Sequence, residues 1–307
     1  MTKILVTGGA GFVGMNLVPK LIEAGHEVRV FDALHFGNGY EVAEAGAKII
    51  KGDVRCMKDC VGACSDMDAV IHLAGQTGVV DSIKEPNYDF DVNAMGTFNI
   101  LSASRKHSID KFIFASSSAV LGDQELPVRE DMVPKPKSGY GASKLAGEAY
   151  CSVFNQAYDL NTIALRFTNI YGQNSAHKKN IVNTFMNRIE KGEPLTVFGD
   201  GTTTRDYVHV TDICDAIMLS LEKDVSGEVM NISMGVETSI NTLINELDSV
   251  IGKDIDVNYQ PARSGEIERS LSDINKAKKL LGFVPRIKLK QGLLETHEWR
   301  EQCTSQK

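Results

Sequence analysis

Lys3-Ile-Leu-Val-Thr-Gly-Gly-Ala-Gly-Phe-Val-Gly14 is the stretch that decides the fold. A short apolar run stops at glycines, and Phe12 to Ala24 then takes up a helical period with Val13, Leu17 and Leu21 on one face. Gly8, Gly11 and Gly14 are spaced three apart, and Gly9, Gly11 and Gly14 also satisfy GxGxxG. A strand that turns through glycines into a helix lets a pyrophosphate approach the backbone and meet the N–H groups and positive dipole at the helix start. The strand before and the helix after separate this pattern from a merely structural turn.

Outward from the loop, strand and helix signals alternate. Glu27–Phe31, Lys48–Ile50, Ala69–Leu73, Lys111–Ala115 and Asn161–Arg166 read as further strands, with helices notably at 90–107 and 140–158. That alternation predicts an α/β fold, a Rossmann-type doubly wound parallel sheet. After about residue 168 the strand signals become shorter and scattered, at 195–198, 206–210, 228–232 and 256–259. Helical signals fall at 180–191, 211–223, 239–251, 274–281 and 290–302. The expected division is a dinucleotide-binding domain of residues 1–167 and 206–234, and a smaller α/β substrate lobe of residues 168–205 and 235–307.

Composition is that of an ordinary globular chain: 307 residues, 42% hydrophobic, 24% charged, net charge −7. The negative balance argues against a nucleic-acid footprint and leaves anionic substrates to local arginines. No apolar run approaches the ~20 residues of a membrane span. With the glycine loop at the start, residues 1–14 do not read as a removable signal, and a cytoplasmic protein without membrane contact is expected. Cys56, Cys60 and Cys64 recur every four residues, a helical stripe that reads as packing. No histidine between 50 and 70 completes a zinc set, so no metal is expected.

Asp32 ends the second strand, where a carboxylate bonds adenosine ribose hydroxyls and repels a 2′-phosphate. NAD is therefore expected over NADP. Asp53-Val54 would face the adenine. His72-Leu-Ala-Gly75 would pass the phosphates and ribose, with His72 a structural residue. Asn93 reads equally as a site residue or as a helix-packing amide.

Tyr140 and Lys144 lie four apart on a helix and so share a face. A free phenol has a pKa of about 10. The lysine ammonium and a positively charged nicotinamide beside it would favour the phenolate, a base able to take a proton from an alcohol.

The glycine loop, Asp32, Asp53-Val54, His72-Leu-Ala-Gly75, Asn93, Ser116-Ser-Ser118 and Tyr140-x-x-x-Lys144 together resemble the extended short-chain dehydrogenase/reductases. Within them the chain is similar to the NAD-dependent nucleotide-sugar 4-epimerases, of the UDP-glucose and UDP-N-acetylglucosamine type. The resemblance implies a catalytic set of Ser118, Tyr140 and Lys144. It implies cofactor contacts from Gly8, Gly11, Phe12, Val13, Gly14, Asp32, Asp53, Val54, Leu73, Ala74, Gly75, Asn93 and Ser116, besides Tyr140 and Lys144. Asn169, in Leu165-Arg-Phe-Thr-Asn169, and Arg205 and Arg263 would bind the nucleotide diphosphate. Ser270 stands where some relatives carry a tyrosine that closes the pocket at the sugar C2 substituent, and its small side chain implies tolerance of N-acetylated sugars.

Relatives that dehydrate the sugar place Asp-Glu after the Ser/Thr position, where Ala119-Val120 is expected to stand here. Simple 4-epimerisation is therefore the expected reaction, with no net redox change. The rival expectations are a 4-keto-sugar reductase or dehydratase of the same family, or a non-catalytic NAD-sensing scaffold. A homodimer built on helices 90–107 and 140–158 is a family-level expectation.

Overall fold

In the computed structural model, which describes residues 1–35, 39–252, 255–262 and 267–305, the seven strands of the main sheet are all parallel. They are β1 (Lys3–Thr7), β2 (Glu27–Asp32), β3 (Lys48–Lys51), β4 (Ala69–His72), β5 (Lys111–Ser117), β6 (Asn161–Phe167) and, much later in the chain, β10 (Glu228–Ile232). Their order is β10-β6-β5-β4-β1-β2-β3. The chain winds outward from β1 in one direction, then returns to β4 and winds the other way. The loops after β1 and β4 therefore diverge and leave a crevice at the carboxyl edge.

Helices cover both faces, with the short α2 (Tyr40–Glu44) in the connection after β2 and α4 (Val79–Lys84) and α5 (Pro86–Asp89) in that after β4. On one lie α1 (Phe12–Glu23), α9 (Val210–Glu222) and α11 (Asn275–Leu281), whose Leu17, Leu21, Ile213, Ile217 and Leu281 join Ile4, Val6, Ile113 and Leu165 of the sheet in one apolar cluster. On the other lie α3 (Met57–Cys64), α6 (Gly96–Lys106) and α7 (Gly139–Tyr158). Their Cys60, Cys64, Ile100, Leu101 and Phe154 pack on Leu5, Val70, Phe112 and Phe114. Each such side chain stabilises the fold by roughly 1.5–3 kcal/mol. Cys60 and Cys64 are thus small apolar core residues, and burial pushes both thiols up to about 12. Cys56 is exposed, one residue before α3.

Two glycines let α7 approach the sheet. A β-carbon at Gly147 would stand 2.4 Å from Phe114 Cζ, and one at Gly141 would stand 2.4 Å from the Ala119 carbonyl oxygen. This contact brings the first turn of α7 to the end of β5.

The remaining elements build the second lobe. β7 (Asn169–Tyr171), β9 (Thr204–His209) and β11 (Glu237–Ser239) form a small sheet, and β8 (Leu195–Phe198) pairs with β12 (Val257–Gln260). α8 (Ile181–Glu190), α10 (Ile240–Ile251) and α12 (Leu289–Ser305) close a third apolar cluster that includes Val182, Phe185, Leu195, Val197, Leu243, Leu247 and Leu293. Part of 206–234 was expected back at the main sheet. Only β10 joins it; β9 stays with the second lobe, because it pairs with β7 and β11 instead. The helix expected over 90–107 is split: residues Phe90–Met95 form a π-helical turn that leads into α6.

Candidate active site

The loop after β1 has the shape of a cradle. Gly8 has φ +67°, and a β-carbon there would lie 2.6 Å from the Ala74 nitrogen, so the β1 and β4 loops touch backbone to backbone. A β-carbon at Gly14 would meet the Gly9 carbonyl oxygen at 2.4 Å. Gly11 precedes α1 without a side-chain cap, and no acidic residue occupies the first turn. The N–H groups that begin the helix are thus left for an anion. Phe12 is buried beneath this turn and Val13 is partly buried.

At the tip of β2 the Asp32 carboxylate accepts hydrogen bonds from the Ala10 N–H at 3.0 Å and the Leu34 N–H at 2.7 Å. A carboxylate has about four acceptor positions, so two remain for ribose hydroxyls. These residues fit a dinucleotide such as NAD. Asp53 is bound to Arg55 (Nη2–Oδ2 2.6 Å), which holds its carboxyl below the usual range. Val54 is buried against Gly96. Leu73, Ala74 and Gly75 follow β4, and the Ala74 N–H donates to Thr7 Oγ1 at 3.2 Å. His72 is fully buried between Thr7 Oγ1 (2.6 Å) and Thr97 Oγ1 (3.0 Å), and burial followed by the charge of Lys144 lowers it to about 3. It is a neutral structural residue.

Asn93 sits in the π-helical turn, a distortion that re-aims side chains and recurs at functional sites. Its Oδ1 accepts the Gln76 N–H at 2.9 Å, and its Nδ2 donates to the Gln76 carbonyl at 2.9 Å and to Asp89 Oδ1 at 2.9 Å. The amide therefore clamps the loop after β4. Gly75 lies under this clamp; a β-carbon there would be 2.8 Å from Asn93 Oδ1 and 3.2 Å from Lys144 Nζ.

Ser138 caps α7 by accepting the Gly141 N–H, which places Tyr140 in the first helical turn. A phenolate there would face the positive end of the helix dipole. Lys144 is buried, donates to the Ala115 carbonyl at 2.8 Å, and stands 6.0 Å from the Tyr140 ring centroid. Burial lowers its pKa to about 8; Asp89, Cys151 and Glu148 oppose that fall, and Lys178 adds to it. Burial holds Tyr140 above its ordinary value, the Ser117 hydrogen bond lowers it, and Asp89 raises it further. Lys144 gives one of its three N–H groups to the Ala115 carbonyl.

The serine register also needs correction. Ser118 was expected to work with Tyr140, but the hydroxyl that acts on the phenol and lowers it is that of Ser117. β5 ends at Ser117, and Ser118 begins a 3₁₀ turn whose first N–H is capped by Ser117 Oγ at 3.2 Å. Ser116 does not offer its hydroxyl to the cofactor groove. It points to the opposite face of the strand, as the pleat requires, and donates to Glu148 Oε1 at 2.5 Å. Glu148 in turn takes both Nε and Nη2 of Arg166 at 2.8 Å, an ion pair buried on both sides.

Asp89 was not foreseen. It is buried, one helical turn before Asn93, and accepts the Asn93 side-chain N–H. An aspartate four residues before a singled-out asparagine was the available signal.

In the second lobe β7 and β9 lie side by side, and Asn169 pairs in register with Tyr207. Asn169 Nδ2 reaches the Asp206 carbonyl at 3.5 Å. Arg205 Nη1 donates to the carbonyls of Thr204 (2.7 Å) and Ile267 (2.8 Å). The Ser270 N–H lies 3.4 Å from Thr204 Oγ1, so Ser270 flanks the same strand. Asn169, Arg205 and Ser270 are thus brought to one small sheet. Arg263 lies outside the described residues. Asp206, next to Arg205, accepts N–H groups of Met234, Gly235 and Ser272 and fixes the strand to its surroundings. No helix among the described residues is long and apolar enough to cross a membrane, and no metal-binding cluster occurs among them.

Residues 4–233 match the NAD dependent epimerase/dehydratase family. A UDP-glucose 4-epimerase of Mycolicibacterium smegmatis is 33% identical over 307 residues, covering 97% of this chain and 98% of its own. The UDP-N-acetylglucosamine 4-epimerase of Methanobrevibacter ruminantium, solved with UDP-N-acetylmuramic acid, superposes with a TM-score of 0.93 at 32% identity, covering 98% of this chain and 99% of its own. The UDP-glucuronic acid 4-epimerase of Bacillus cereus, solved with UDP-glucuronic acid and NAD, does so with a TM-score of 0.90 at 31% identity and the same coverage. With the Rossmann sheet, the glycine cradle and the Tyr140–Lys144 helix in place, the chain belongs to the NAD-dependent epimerase/dehydratase family.

Proposed function

We propose that the protein is an NAD-dependent nucleotide-sugar 4-epimerase acting on UDP-hexoses, with room for an N-acetyl group beside Ser270. The observation that carries this reading is the placement of Tyr140, Ser117 and Lys144 at the carboxyl edge of the sheet, beside the glycine cradle. Ser117 donates to the sugar 4-oxygen and holds it against Tyr140. The phenol, once its proton is drawn off, takes the proton of the 4-hydroxyl and later returns it. Bound NAD supplies the hydride acceptor and donor and the positive charge that lowers the phenol. Asn169 and Arg205, with Arg263, hold the diphosphate while the sugar turns about its phosphate linkage. They belong to a substrate lobe of residues 168–205 and 235–307, which also takes β9, set against an NAD-binding domain of residues 1–167 and the rest of 206–234.

With Ser117 as the anchoring hydroxyl, the next two positions are Ser118 and Ala119. Neither is an acid, so these two positions cannot expel a hydroxyl, and dehydration is disfavoured. Incubation with a panel of UDP-, dTDP- and GDP-sugars without added cofactor tests the reading. Expected is interconversion of 4-epimers with no net NADH; stoichiometric consumption of added NADH would instead mark a 4-keto-sugar reductase.

Asp89 should tune the pH dependence. Its charge raises Lys144, so Asp89→Asn, which keeps an acceptor for Asn93, lets Lys144 lose its proton at lower pH. If the charged ammonium is needed, the alkaline limb of kcat against pH moves toward lower pH. An unmoved limb would make Asp89 a brace alone.

The protein also reads as a cytoplasmic homodimer. Phe98 of α6 and Tyr150 and Val153 of α7 are exposed, the first two with ring centroids 5.0 Å apart. Pairing this face with its copy would make a four-helix contact, which sedimentation would register as twice the chain mass.

A further inference from the structure

We infer that Lys178 binds a carboxylate carried by the sugar of the substrate, so that the site takes acidic sugar nucleotides in preference to neutral ones. This rests on the epimerase reading above. Lys178 lies in the segment between β7 and α8, and its backbone is pinned. Its N–H donates to the Ser175 carbonyl at 2.7 Å, Asn183 Nδ2 reaches its carbonyl at 3.4 Å, and Ser175 Oγ is bonded to Gly172 and Asn183. The side chain crosses to the first lobe, where its ammonium donates to Thr77 Oγ1 at 3.0 Å. Thr77 follows Gln76, the residue clamped by Asn93, so the ammonium sits over the loop after β4.

An ammonium carries three donors, and a threonine hydroxyl uses one. Among the described residues no carboxylate pairs with Lys178. Burial lowers its pKa, and its charge is close enough to Lys144 to lower that residue too. Asp89 and Glu148 answer the charge of Lys144, whereas no such group among the described residues answers that of Lys178. Such an arrangement is costly unless an anion completes it. The cofactor's pyrophosphate has the start of α1, and the nucleotide diphosphate has Asn169 and Arg205 in the reading above. Lys178 is on the Lys144 side, where the sugar reacts. The anion left for it is one on the sugar ring itself, as a C6 carboxylate or as an acid on an ether arm.

The test uses the full chain loaded with NAD. Affinity by calorimetry and kcat/KM are measured for UDP-glucuronate against UDP-glucose, and for UDP-N-acetylmuramate against UDP-N-acetylglucosamine. The first pair reports a C6 carboxylate, the second an ether-linked one. In at least one pair the acidic sugar is expected to be favoured about tenfold to a hundredfold, the worth of a charge-assisted bond. Lys178→Met should erase that ratio, and Lys178→Arg should retain most of it. An acidic sugar should also move the alkaline limb of kcat to higher pH, because an anion beside Lys144 helps it stay charged. Loss of affinity by Lys178→Met to the same degree for all four ligands would place Lys178 on the diphosphate and overturn the inference, as would the absence of any acidic preference. If the wild type binds acidic sugars preferentially but epimerises none, the epimerase reading fails and this one stands.

Discussion

Tyr140→Phe should reduce epimerisation by about a hundredfold to ten-thousandfold in kcat, the contribution of a positioned acid–base group. His72 cannot substitute: it is sealed between Thr7 and Thr97 and burial keeps it neutral. The replacement should leave the fold alone. It removes one oxygen from the first turn of a helix whose cap belongs to Ser138 and whose approach to β5 depends on Gly141 and Gly147. Thermal unfolding and retention of NAD should match the wild type while 4-epimer formation, followed by chromatography, disappears. Activity within tenfold of wild type would remove Tyr140 from the acid–base role, and the scaffold reading would then gain ground.

Ser117→Ala and Ser118→Ala should separate cleanly. Loss of the Ser117 hydroxyl removes the group that lowers the phenol and the donor to the sugar 4-oxygen, at a cost of about a hundredfold or more in kcat. Loss of the Ser118 hydroxyl should cost less than about threefold, because no hydrogen bond of that side chain links it to Tyr140 or Lys144 among the described residues. Ser117 also accepts the Ala119 N–H, so Ser117→Thr is the useful control, retaining both bonds and most of the activity. The reverse ranking, with Ser118 the sensitive position, would restore the order expected from the sequence.

The strands were readable because most hold a short apolar run that ends at a turn. Lys3–Thr7, Leu195–Phe198 and Glu228–Ile232 fall where the pattern puts them. The glycine cradle was readable for a related reason: only glycine tolerates the positive φ of residue 8 and the backbone contact at residue 14. The serine register was not. Three consecutive serines carry no information about where the strand stops, and a shift of one residue exchanges faces. What fixes Ser116 inward is Glu148, thirty-two positions away, through a partner that the local sequence does not disclose. The π-helical turn was hidden as well, because apolar spacing is the same on either side of one inserted residue. The partner of Lys144 was hidden too, because the carbonyl that holds the ammonium belongs to Ala115 on another element.

The buried pair of Glu148 and Arg166 restricts how this chain can change over evolutionary time. Exchanging either one alone strands a full charge in the interior at a cost of about 3–5 kcal/mol, a large fraction of what keeps a domain folded. Replacing both together by apolar residues is close to neutral. The two positions should therefore travel as a unit among descendants of this sequence, with Ser116 following them. An aligned set in which one of the three drifts freely would indicate a different solution beneath the same catalytic helix.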